Sequence, residues 1–549
     1  MASRTAGEII AEGLELHGVR HVFGIPGAKI DAVFNALEDH TPEVVVCRHE
    51  QNAAFMAAAV GRLTRRPGVC IATSGPGATN LVTGLATATT EGDPVVALVG
   101  AVSRADQPKR THQSLHAAEM FAPVTKRSIE LQDPVDAPDV LANAFRIATE
   151  APSGAVVVTL PQDVLAERTE AHAIGWHEPP ELGPPPANVV RQAADLIAAA
   201  DLPVWMIGAR GSQPDAIPPS HALLNAFPMP IVETFQGAGA ACGDPEHLFV
   251  GRVGLFRNQP GDKVLAKADV VITVGYDPVE YEARFWNSGR PKKIIHLDSL
   301  AADWDASYEP DMELRGGIAA TIAALGAALS PRPLPPGIVA VIDENRPALG
   351  GALEYELSTA QRCHPLAIVS QLRLAAPLDS VVACDVGSNY IWMARHFRAG
   401  GPNQLLFSNG QQTLGVALPW AMAASFLGYR AVSVSGDGGF LFSGVELETA
   451  VRNGLNLVHV VMRDEAYDMV AFQEVMKYGR TSGTQLGYYD VVGFAQAFGA
   501  TGLRVESEDQ LPEVFEAAFN TPGVVVVDVP VNYEHNADLA GSLLPTSSA

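Results

Sequence analysis

Acidic and glycine residues cluster at one predicted turn in the last third of the chain. The segment SGDGG at residues 435–439 ends a predicted strand at residues 431–435. Glycines let a backbone approach a phosphate closely, and Asp437 offers a hard oxygen ligand for Mg²⁺. Asp464 comes 27 residues later, after the next predicted strand, so both carboxylates are expected at the same sheet edge. A plain glycine-rich turn with a helix cap is the alternative interpretation.

A second acidic residue stands at the start of a predicted helix in the first third. The segment RHEQNAAFMA at residues 48–57 follows a predicted strand at residues 44–47, and Glu50 precedes a helix predicted for residues 51–63. A carboxylate in the first turn interacts favourably with the helix dipole. That structural role is the alternative to a chemical role for Glu50.

The patterns around these turns predict the elements that position them. Short Val-rich runs, typical of strands buried on both faces, alternate with helical patterns along the chain. Two Pro-rich segments, residues 170–188 and 330–361, are expected to be linkers. They divide the chain into predicted domains at residues 1–170, 188–330 and 362–549. The predicted fold class is α/β, with three doubly wound parallel-sheet domains that bind ligands at the carboxyl ends of strands.

The outer thirds share a short similar segment near their ends. PSGAVVVTLP at residues 152–161 and TPGVVVVDVP at residues 521–530 are identical at five of ten positions. This similarity suggests that the first and last domains are related, although short Val runs coincide easily.

Composition and charge exclude several classes of partner. The 549 residues carry 37 basic and 61 acidic side chains, a formal net charge of −24. Such a field repels nucleic-acid backbones and anionic membranes, so neither partner is expected. There is no run of about 18 apolar residues that could span a membrane. Five cysteines without a CxxC pair, and a start without the apolar centre of a signal peptide, predict a cytoplasmic protein.

The motifs resemble those of thiamine-diphosphate-dependent enzymes. A GDG followed about 25 residues later by a turn containing Asn or Asp is similar to their cofactor-binding motif, and 25 residues lie between Gly438 and Asp464. The similarity extends over nearly the whole chain, and it is greatest to catabolic, FAD-independent acetolactate synthases. The matching phrases include VFGIPGAKID (22–31), TSGPGATN (73–80), GRVGLF (251–256), SNGQQTLGVALPW (408–420) and YDMVAFQE (467–474).

The resemblance implies bound thiamine diphosphate and Mg²⁺. It assigns the metal to Asp437, Asp464 and the backbone carbonyl of Ala466. The family usually has Asn where this chain has Asp464, but the catabolic branch carries Asp. The residues implied to contact the cofactor's diphosphate half are Gly387, Ser388, Asn389, Gly438, Gly439 and Tyr467. FAD is not expected, because the middle third has no convincing dinucleotide-binding fingerprint.

The same resemblance assigns three residues to the aminopyrimidine half of the cofactor. Glu50 is expected to bond N1′ and to favour the tautomer whose N4′ takes the thiazolium C2 proton. The carbonyl of Gln412 would accept a hydrogen bond from N4′, and the amide of Leu414 would donate one to N3′. The Leu414 side chain would hold the cofactor bent, in place of the Met of related synthases, whose volume is similar.

The resemblance also implies the substrate and its contacts. Two pyruvate anions are expected, near the positive charge of Lys29. His112 and Gln113 match a Phe-Gln pair of biosynthetic relatives, and Gln113 can donate to a pyruvate oxygen. Gln473 replaces a Trp associated with 2-ketobutyrate as the acceptor, which favours pyruvate in both roles. A surface position is the alternative for Lys29.

The resulting interpretation is an acetolactate synthase of the acetoin and butanediol branch, with Glu50, Gln113 and Leu414 at the reacting centre. The family implies a homodimer at minimum with shared active sites, and a homotetramer is expected. One alternative is a related carboligase using a diketone or aldehyde acceptor, or a 2-keto acid decarboxylase. Another is a non-catalytic paralogue that binds the cofactor or a partner chain.

Overall fold

The computed structural model describes residues 3–255, 257–287, 292–346, 349 and 355–536. Within them the chain forms three six-stranded sheets with parallel strands, and a short antiparallel ribbon pairs Arg4–Thr5 with Arg168–Thr169. The predicted α/β class with three parallel-sheet domains is therefore confirmed. Phe256 of the GRVGLF phrase, much of residues 347–354 in the second predicted linker, and residues 537–549 of the third domain lie outside the described residues. The domain boundaries remain a prediction.

The first sheet has the predicted strand before Glu50 as one of its edge strands. Its strands, in spatial order, are Glu43–Val46, His21–Ile25, Gly68–Ala72, Val95–Ala101, Ala155–Pro161 and Arg127–Glu130. Its helices are Ala6–Leu16, Asp31–Leu37, Glu50–Thr64, Pro76–Asn80, Val82–Glu91, Ala117–Phe121, Ala137–Thr149 and Gln162–Ala166. The inner strands are buried on both faces, as their Val-rich composition predicts.

The last sheet repeats the topology of the first. Its strands, in spatial order, are Leu405–Phe407, Val381–Cys384, Ala431–Gly436, Leu457–Arg463, Val524–Pro530 and Thr501–Arg504. Numbered along the chain, both sheets have the order 2-1-3-4-6-5. The similar segments at residues 152–161 and 521–530 supply, in each sheet, the strand that comes sixth along the chain. This correspondence supports the inferred relation between the two domains.

The middle sheet has a different order. Its strands, in spatial order, are Phe249–Val253, Ile231–Thr234, Pro203–Ile207, Val270–Val274, Lys293–Asp298 and Met312–Arg315. Its helices are Ala187–Ala198, Ile217–Ala226, Pro260–Lys267, Ala283–Trp286, Ile318–Ala328 and Pro336–Asn345. The order 3-2-1-4-5-6 is that of dinucleotide-binding doubly wound domains.

The remaining helices follow or connect the strands of the last sheet. They are Pro365–Ala375, Ser388–His396, Ala417–Phe426, Asp437–Ser443, Leu447–Arg452, Asp468–Tyr478, Val491–Ala497 and Leu511–Asn520. Among the described residues, no helix combines the length and the hydropathy needed to cross a lipid bilayer.

The described residues form two compact units. The first lies within Met1–Pro180, Gly415–Gly428 and Leu441–Leu455, and the second within the rest of the chain. In the first unit the helix Ala417–Phe426 packs on Glu50–Thr64, and most residues of both helices are buried. A helix that is apolar on every side is typical of such a position.

The two predicted linkers differ in structure. Residues 170–186 of the first contain neither helix nor strand, and its last two residues begin the helix Ala187–Ala198. The second segment, in contrast, contains the helix Pro336–Asn345, which begins at its own proline and buries Ile338 and Ile342 in the core of the middle domain. Proline is tolerated in the first helical turn, where its missing N–H has no partner in any case. The Pro-rich composition therefore marked a helix start as well as a linker.

A buried histidine connects two central strands of the last sheet. His459 has no exposed surface, and its ring nitrogens lie 2.6 Å from Ser433 Oγ and 2.9 Å from Ser435 Oγ. Burial lowers the pKa of His459 to about 3. The ring is therefore neutral in the folded protein at every pH where an unfolded histidine, with a pKa near 6.5, takes up a proton.

His459→Gln is expected to make the protein less sensitive to mild acid. Below pH 6.5 the unfolded wild type gains a proton that the folded state does not, so its free energy of unfolding falls by up to about 1.4 kcal/mol per pH unit. The variant has no such histidine and does not lose this stability. The amount by which its free energy of unfolding lies below that of the wild type should therefore be about 1.4 kcal/mol smaller at pH 5.5 than at pH 7.5. Urea unfolding of both proteins at the two pH values measures the change. An equal deficit at both would contradict the assignment.

Candidate active site

Glu50 is the first residue of the helix Glu50–Thr64 and is 7% exposed. Its Oε2 accepts a hydrogen bond of 2.9 Å from Asn80 Nδ2. On the other side, a Cβ atom added to Gly77 would lie 3.3 Å from Glu50 Oε1. The TSGPGATN segment thus binds one carboxylate oxygen through Asn80 and leaves space beside the other through Gly77. Within this segment a short helix begins at Pro76, again with proline in its first turn.

Gln113 lies against the same segment. A Cβ atom on Gly75 would be 3.1 Å from Gln113 Cβ, and Ser74 Oγ donates a 3.4 Å hydrogen bond to Gln113 Oε1. Gln113 also has a φ of 60°, an uncommon conformation for a residue other than glycine. The structure therefore brings Gln113 to the segment that contacts Glu50.

The other two predicted substrate residues of this domain are less constrained. His112 is exposed, and Lys29 is half-buried. The backbone of Lys29 packs on Gly100, where an added Cβ atom would lie 2.7 Å from the Lys29 carbonyl oxygen. Within the described residues, no hydrogen bond or ion pair joins either side chain to Glu50.

The two predicted metal-binding carboxylates lie at the carboxyl ends of adjacent strands of the last sheet. Asp437 is 1% exposed, and its Oδ2 accepts a 2.9 Å hydrogen bond from the Glu465 amide. Burial raises the pKa of Asp437. Burial and the nearby charges of Asp437 and Asp468 raise the pKa of Asp464 to about 8. The carboxylates are thus close enough to repel each other, and a divalent cation would remove that repulsion.

The turn that carries Asp464 also contains Glu465 and the predicted backbone ligand Ala466. Glu465 has a φ of 65°, and Arg463 Nη1 donates a 2.8 Å hydrogen bond to its carboxylate. Ala466, whose carbonyl is the third predicted ligand, follows directly. Within the described residues, no group of three or more His, Cys, Asp or Glu side chains could hold a metal. Two carboxylates and a carbonyl fit Mg²⁺, which keeps several waters or substrate phosphates as ligands.

The glycines of this turn are in close contact with their surroundings. A Cβ atom on Gly438 would lie 2.6 Å from the Tyr467 ring, and one on Gly439 would lie 2.8 Å from Asp385 Oδ2. Both distances are shorter than any ordinary carbon contact. Tyr467, a predicted cofactor residue, therefore packs directly on the GDG turn, and only glycine fits there without displacing it.

Gly438→Ala is expected to weaken cofactor binding by about 5- to 160-fold, because a strain of about 1–3 kcal/mol must be relieved by moving Tyr467 or the turn. Gly487→Ala is the matched control, since an added Cβ atom there meets nothing within 4 Å. Titration of each cofactor-free variant with thiamine diphosphate and Mg²⁺ measures the difference. Equal affinities for the two variants would show that this contact does not shape the site.

The predicted cofactor contacts at residues 387–389 lie at the start of the helix Ser388–His396. Ser388 Oγ donates a 2.5 Å hydrogen bond to Asp468 Oδ2, and Asn389 Nδ2 donates one to the Asp385 carbonyl at 2.9 Å. Asn389 Oδ1 is buried and finds no partner among the described residues. A Cβ atom on Gly387 would lie 2.6 Å from this oxygen. Asn389 thus retains a free acceptor, while Ser388 is engaged within the protein.

Hydrogen bonds of Asn409 fix the start of the loop that carries Gln412 and Leu414. Asn409 Oδ1 accepts a 2.5 Å hydrogen bond from the Tyr390 hydroxyl, and the amide group of Asn409 donates to the backbone carbonyl of Glu280 in the middle domain. Gln412 is exposed with a φ of 49°, and Leu414 is half-buried against the core of the last domain. Gln473 is exposed on the helix Asp468–Tyr478.

Sequence reasoning missed several residues that shape these turns. Asn80 binds Glu50, and the Tyr489 hydroxyl donates a 3.1 Å hydrogen bond to the Asp437 carbonyl. Asp468 accepts from Ser388 and, at 2.6 Å, from Asn536 Nδ2. The sequence did carry a signal that could have identified Asp468, because this residue lies in the first helical turn after the predicted metal loop. No local signal marked Tyr489 or Asn536.

At the middle sheet, the chain's own side chains occupy the edge where dinucleotides bind in this topology. The Glu280 carboxyl group is buried and accepts hydrogen bonds from the Ala209 amide at 3.0 Å and from Thr234 Oγ1 at 2.5 Å. Arg210 pairs with the buried Asp298 at 2.8 Å. The Ala209 amide, which follows the first strand of the middle sheet along the chain, is thus already hydrogen-bonded to a side chain of the protein.

Comparison with known families accounts for all three domains. The family description "Thiamine pyrophosphate enzyme, N-terminal TPP binding domain" matches residues 4–120, "central domain" matches residues 190–325, and "C-terminal TPP binding domain" matches residues 385–529. The chain belongs to the thiamine pyrophosphate (thiamine diphosphate) enzyme family.

Within that family, its relatives include several acetolactate synthases. The acetolactate synthase of Bacillus subtilis (strain 168) is 51% identical over 548 residues, which cover 98% of this chain and 95% of that protein. The catabolic acetolactate synthase of Raoultella terrigena is 44% identical over 544 residues, covering 98% and 96%. The acetolactate synthase isozyme 2 large subunit of Escherichia coli (strain K12) is 30% identical over 532 residues, covering 96% and 95%.

Proposed function

We propose that this protein is an acetolactate synthase, which decarboxylates one pyruvate and joins the remaining two-carbon unit to a second. In the balance, two pyruvate anions and one proton give one 2-acetolactate anion and one CO₂. The observation that carries the proposal is the 51% identity to an acetolactate synthase over 98% of the chain, with Glu50, Asp437 and Asp464 present. Relatives with this name favour a pyruvate acceptor over the diketone, aldehyde and simple decarboxylase alternatives.

The site residues fit thiamine diphosphate and Mg²⁺. The cofactor supplies a carbon nucleophile and an electron sink for decarboxylating a 2-keto acid. Asp437, Asp464 and the Ala466 carbonyl would hold the metal. Gly387, Ser388, Asn389, Gly438, Gly439 and Tyr467 would surround the diphosphate half, and Gln412 and Leu414 would contact the aminopyrimidine. The close glycine contacts and the free Asn389 Oδ1 support this assignment.

Glu50 is the residue proposed to hold and move a proton. Its Oε2 is occupied by Asn80 Nδ2, so Oε1 is the atom available to share a proton with the aminopyrimidine ring. Gly77 leaves space beside Oε1, which any larger residue would fill. General acid–base groups act only at hydrogen-bond distance, so an open, oriented oxygen suits this role.

The substrate contacts remain proposals. Gln113 is the best supported, because its backbone conformation and its packing on Gly75 hold it beside the Glu50 segment. Its amide group would donate to a pyruvate oxygen. Lys29, His112 and Gln473 would complete the substrate side, with Lys29 supplying positive charge for an anionic substrate in a strongly acidic protein.

We propose that FAD has no place in this enzyme. The amide of Ala209 follows the first strand of the middle sheet, where a dinucleotide diphosphate binds in this topology. That amide donates to the buried Glu280 carboxyl group, and Arg210 is paired with Asp298. A dinucleotide would have to displace both interactions.

We propose that the protein works as a homodimer at minimum, with active sites shared between subunits, and as a homotetramer. Exposed apolar side chains on the helix Asp468–Tyr478, which has no buried residue, support an interface near the predicted site. They are Val470, Val475, Met476 and Tyr478. Five free cysteines support a reducing, cytoplasmic location, and we propose a place in the acetoin and butanediol branch.

Mixing two inactive variants tests the shared sites. In a mixed dimer of Glu50→Gln and Asp437→Asn chains, one site would carry both changes and the other would carry neither. Random reassortment should therefore restore about a quarter of wild-type turnover. If Glu50 and Asp437 of one chain served the same site, no mixture would regain activity.

Turnover of pyruvate by chelator-stripped protein tests the proposed function itself. With thiamine diphosphate and Mg²⁺ added back and FAD omitted, one acetolactate should form per two pyruvates. CO₂ without acetolactate would favour decarboxylation or another acceptor. The absence of turnover at full cofactor occupancy would favour the non-catalytic paralogue.

A further inference from the structure

Glu446 is a buried carboxylate that the reaction chemistry does not use. It has no exposed surface and lies in the short segment before the helix Leu447–Arg452. Its Oε1 accepts hydrogen bonds from the Arg48 amide at 2.9 Å, the His49 amide at 3.0 Å and Asn52 Nδ2 at 3.1 Å. Thr449 Oγ1 donates to Oε2 at 2.7 Å. Three of its four donors thus come from the residues that flank Glu50.

The amides bound by Glu446 have no partner within their own helix. His49 is the N-cap of the helix Glu50–Thr64, and the first N–H groups of a helix lack intrahelical acceptors. The His49 side chain caps the Gln51 amide, so the amides of Arg48 and His49 depend on Glu446. A carboxylate that accepts amide N–H groups forms stronger bonds than a neutral acceptor.

Keeping this carboxylate buried is energetically costly. Burial raises the pKa of Glu446, although hydrogen bonds from Thr449, Asn52 and the two amides lower it. Desolvating an ion is unfavourable even after the surrounding protein relaxes. Apolar side chains at the same place would stabilise the protein without this desolvation cost. The buried carboxylate of Glu446 therefore points to a role in fixing the geometry of the residues that it binds.

We propose that Glu446 is a positioning residue for Glu50. By holding Arg48, His49 and Asn52, it determines the direction in which the Glu50 side chain leaves the start of the helix, while Asn80 holds the far end of that side chain. The inference rests on the proposed function only in giving Glu50 its proton-transfer role. A displacement of about 1 Å at a reacting group can cost about a hundredfold in rate.

Hydrogen exchange of the cofactor-free protein tests the contact directly. In Glu446→Gln the carbonyl can still accept, but the charge is lost, so the amides of residues 48 and 49 should exchange at least about tenfold faster. Glu448→Gln is the matched control. Glu448 lies in the helix Leu447–Arg452 that follows Glu446, is about one-third exposed and pairs with the side chains of Arg48 and Arg452. It should leave these amides at the wild-type rate.

Exchange of the cofactor's C2 proton into D₂O, followed by NMR without pyruvate, tests the action through Glu50. Glu446→Gln should slow this exchange by about tenfold or more, with thiamine diphosphate affinity changed less than about threefold. In the double variant Glu50→Gln/Glu446→Gln, the rate should stay within about twofold of Glu50→Gln alone, because residues acting through one another are not additive. Glu448→Gln should exchange as the wild type does.

Two results would overturn the proposal. One is wild-type C2 exchange in Glu446→Gln. The other is a double variant that is slower than Glu50→Gln by a further factor of about ten, which would indicate general disruption. If Glu446→Gln does not fold, Thr449→Val removes a single bond to Oε2 and should slow exchange by about threefold. An unchanged rate in that variant would then overturn the proposal.

These measurements separate the inference from the proposed function. C2 exchange and amide exchange require no pyruvate and no product. If the wild type binds the cofactor and shows exchange that depends on Glu446 but forms no acetolactate, the proposed function fails and the positioning role stands. If acetolactate forms and Glu446→Gln behaves as the wild type, only the positioning role fails.

Discussion

Glu50→Gln is expected to lower acetolactate formation by about 10²- to 10⁴-fold, the range typical of losing a general acid–base group. The variant amide can keep the hydrogen bond from Asn80 Nδ2 by turning its oxygen toward it. Its nitrogen then occupies the place of Oε1, where it can donate but cannot share a carboxyl proton. The fold and the diphosphate half of the site should be unaffected, so cofactor affinity should change by less than about tenfold.

Steady-state turnover of pyruvate, together with cofactor titration, measures the effect. Glu43→Gln is the control, because Glu43 lies in the neighbouring strand Glu43–Val46 with an exposed side chain. It should retain wild-type turnover. Full activity in Glu50→Gln would remove Glu50 from the reaction and would revive the interpretation of its carboxylate as a partner of the helix dipole.

Asp437→Asn is expected to weaken Mg²⁺ binding by at least about a hundredfold, since even residues behind a metal ligand contribute about 10–100-fold. The amide keeps the shape of the side chain and can still accept from the Glu465 amide. It removes one of two carboxylates in a site whose other predicted ligands are Asp464 and a neutral carbonyl. Thiamine diphosphate, which would be held through the metal, should be lost in parallel.

Titration of the stripped protein with Mg²⁺ at saturating thiamine diphosphate measures this prediction. Asp490→Asn is the control, because Asp490 is exposed and its carboxylate pairs with Arg504. It should bind metal as the wild type does. Wild-type metal dependence in Asp437→Asn would show that the GDG turn is a structural turn, the alternative that its sequence allowed.

The sequence by itself determined the class of fold and the proximity of the two carboxylates proposed to bind metal. Alternating Val-rich and helical segments predicted parallel sheets, because strands buried on both faces need apolar residues at every position. The carboxyl ends of neighbouring parallel strands meet at one edge, so the spacing of Asp437 and Asp464 already indicated their proximity. The strands Ala431–Gly436 and Leu457–Arg463 are indeed adjacent. Local patterns sufficed because each of these features depends on neighbours in the chain.

Only the tertiary structure decided which distant groups hold the predicted residues. Glu446 is 398 residues from Arg48, yet it binds the amide of that residue. Asn80 orients Glu50, and Tyr489 binds the carbonyl of Asp437, but neither pair has a spacing that predicts contact. The strand orders 2-1-3-4-6-5 and 3-2-1-4-5-6 likewise follow from which buried faces fit together. Such contacts arise from packing between segments, and a local sequence pattern carries no information on the partner that a buried polar group will find.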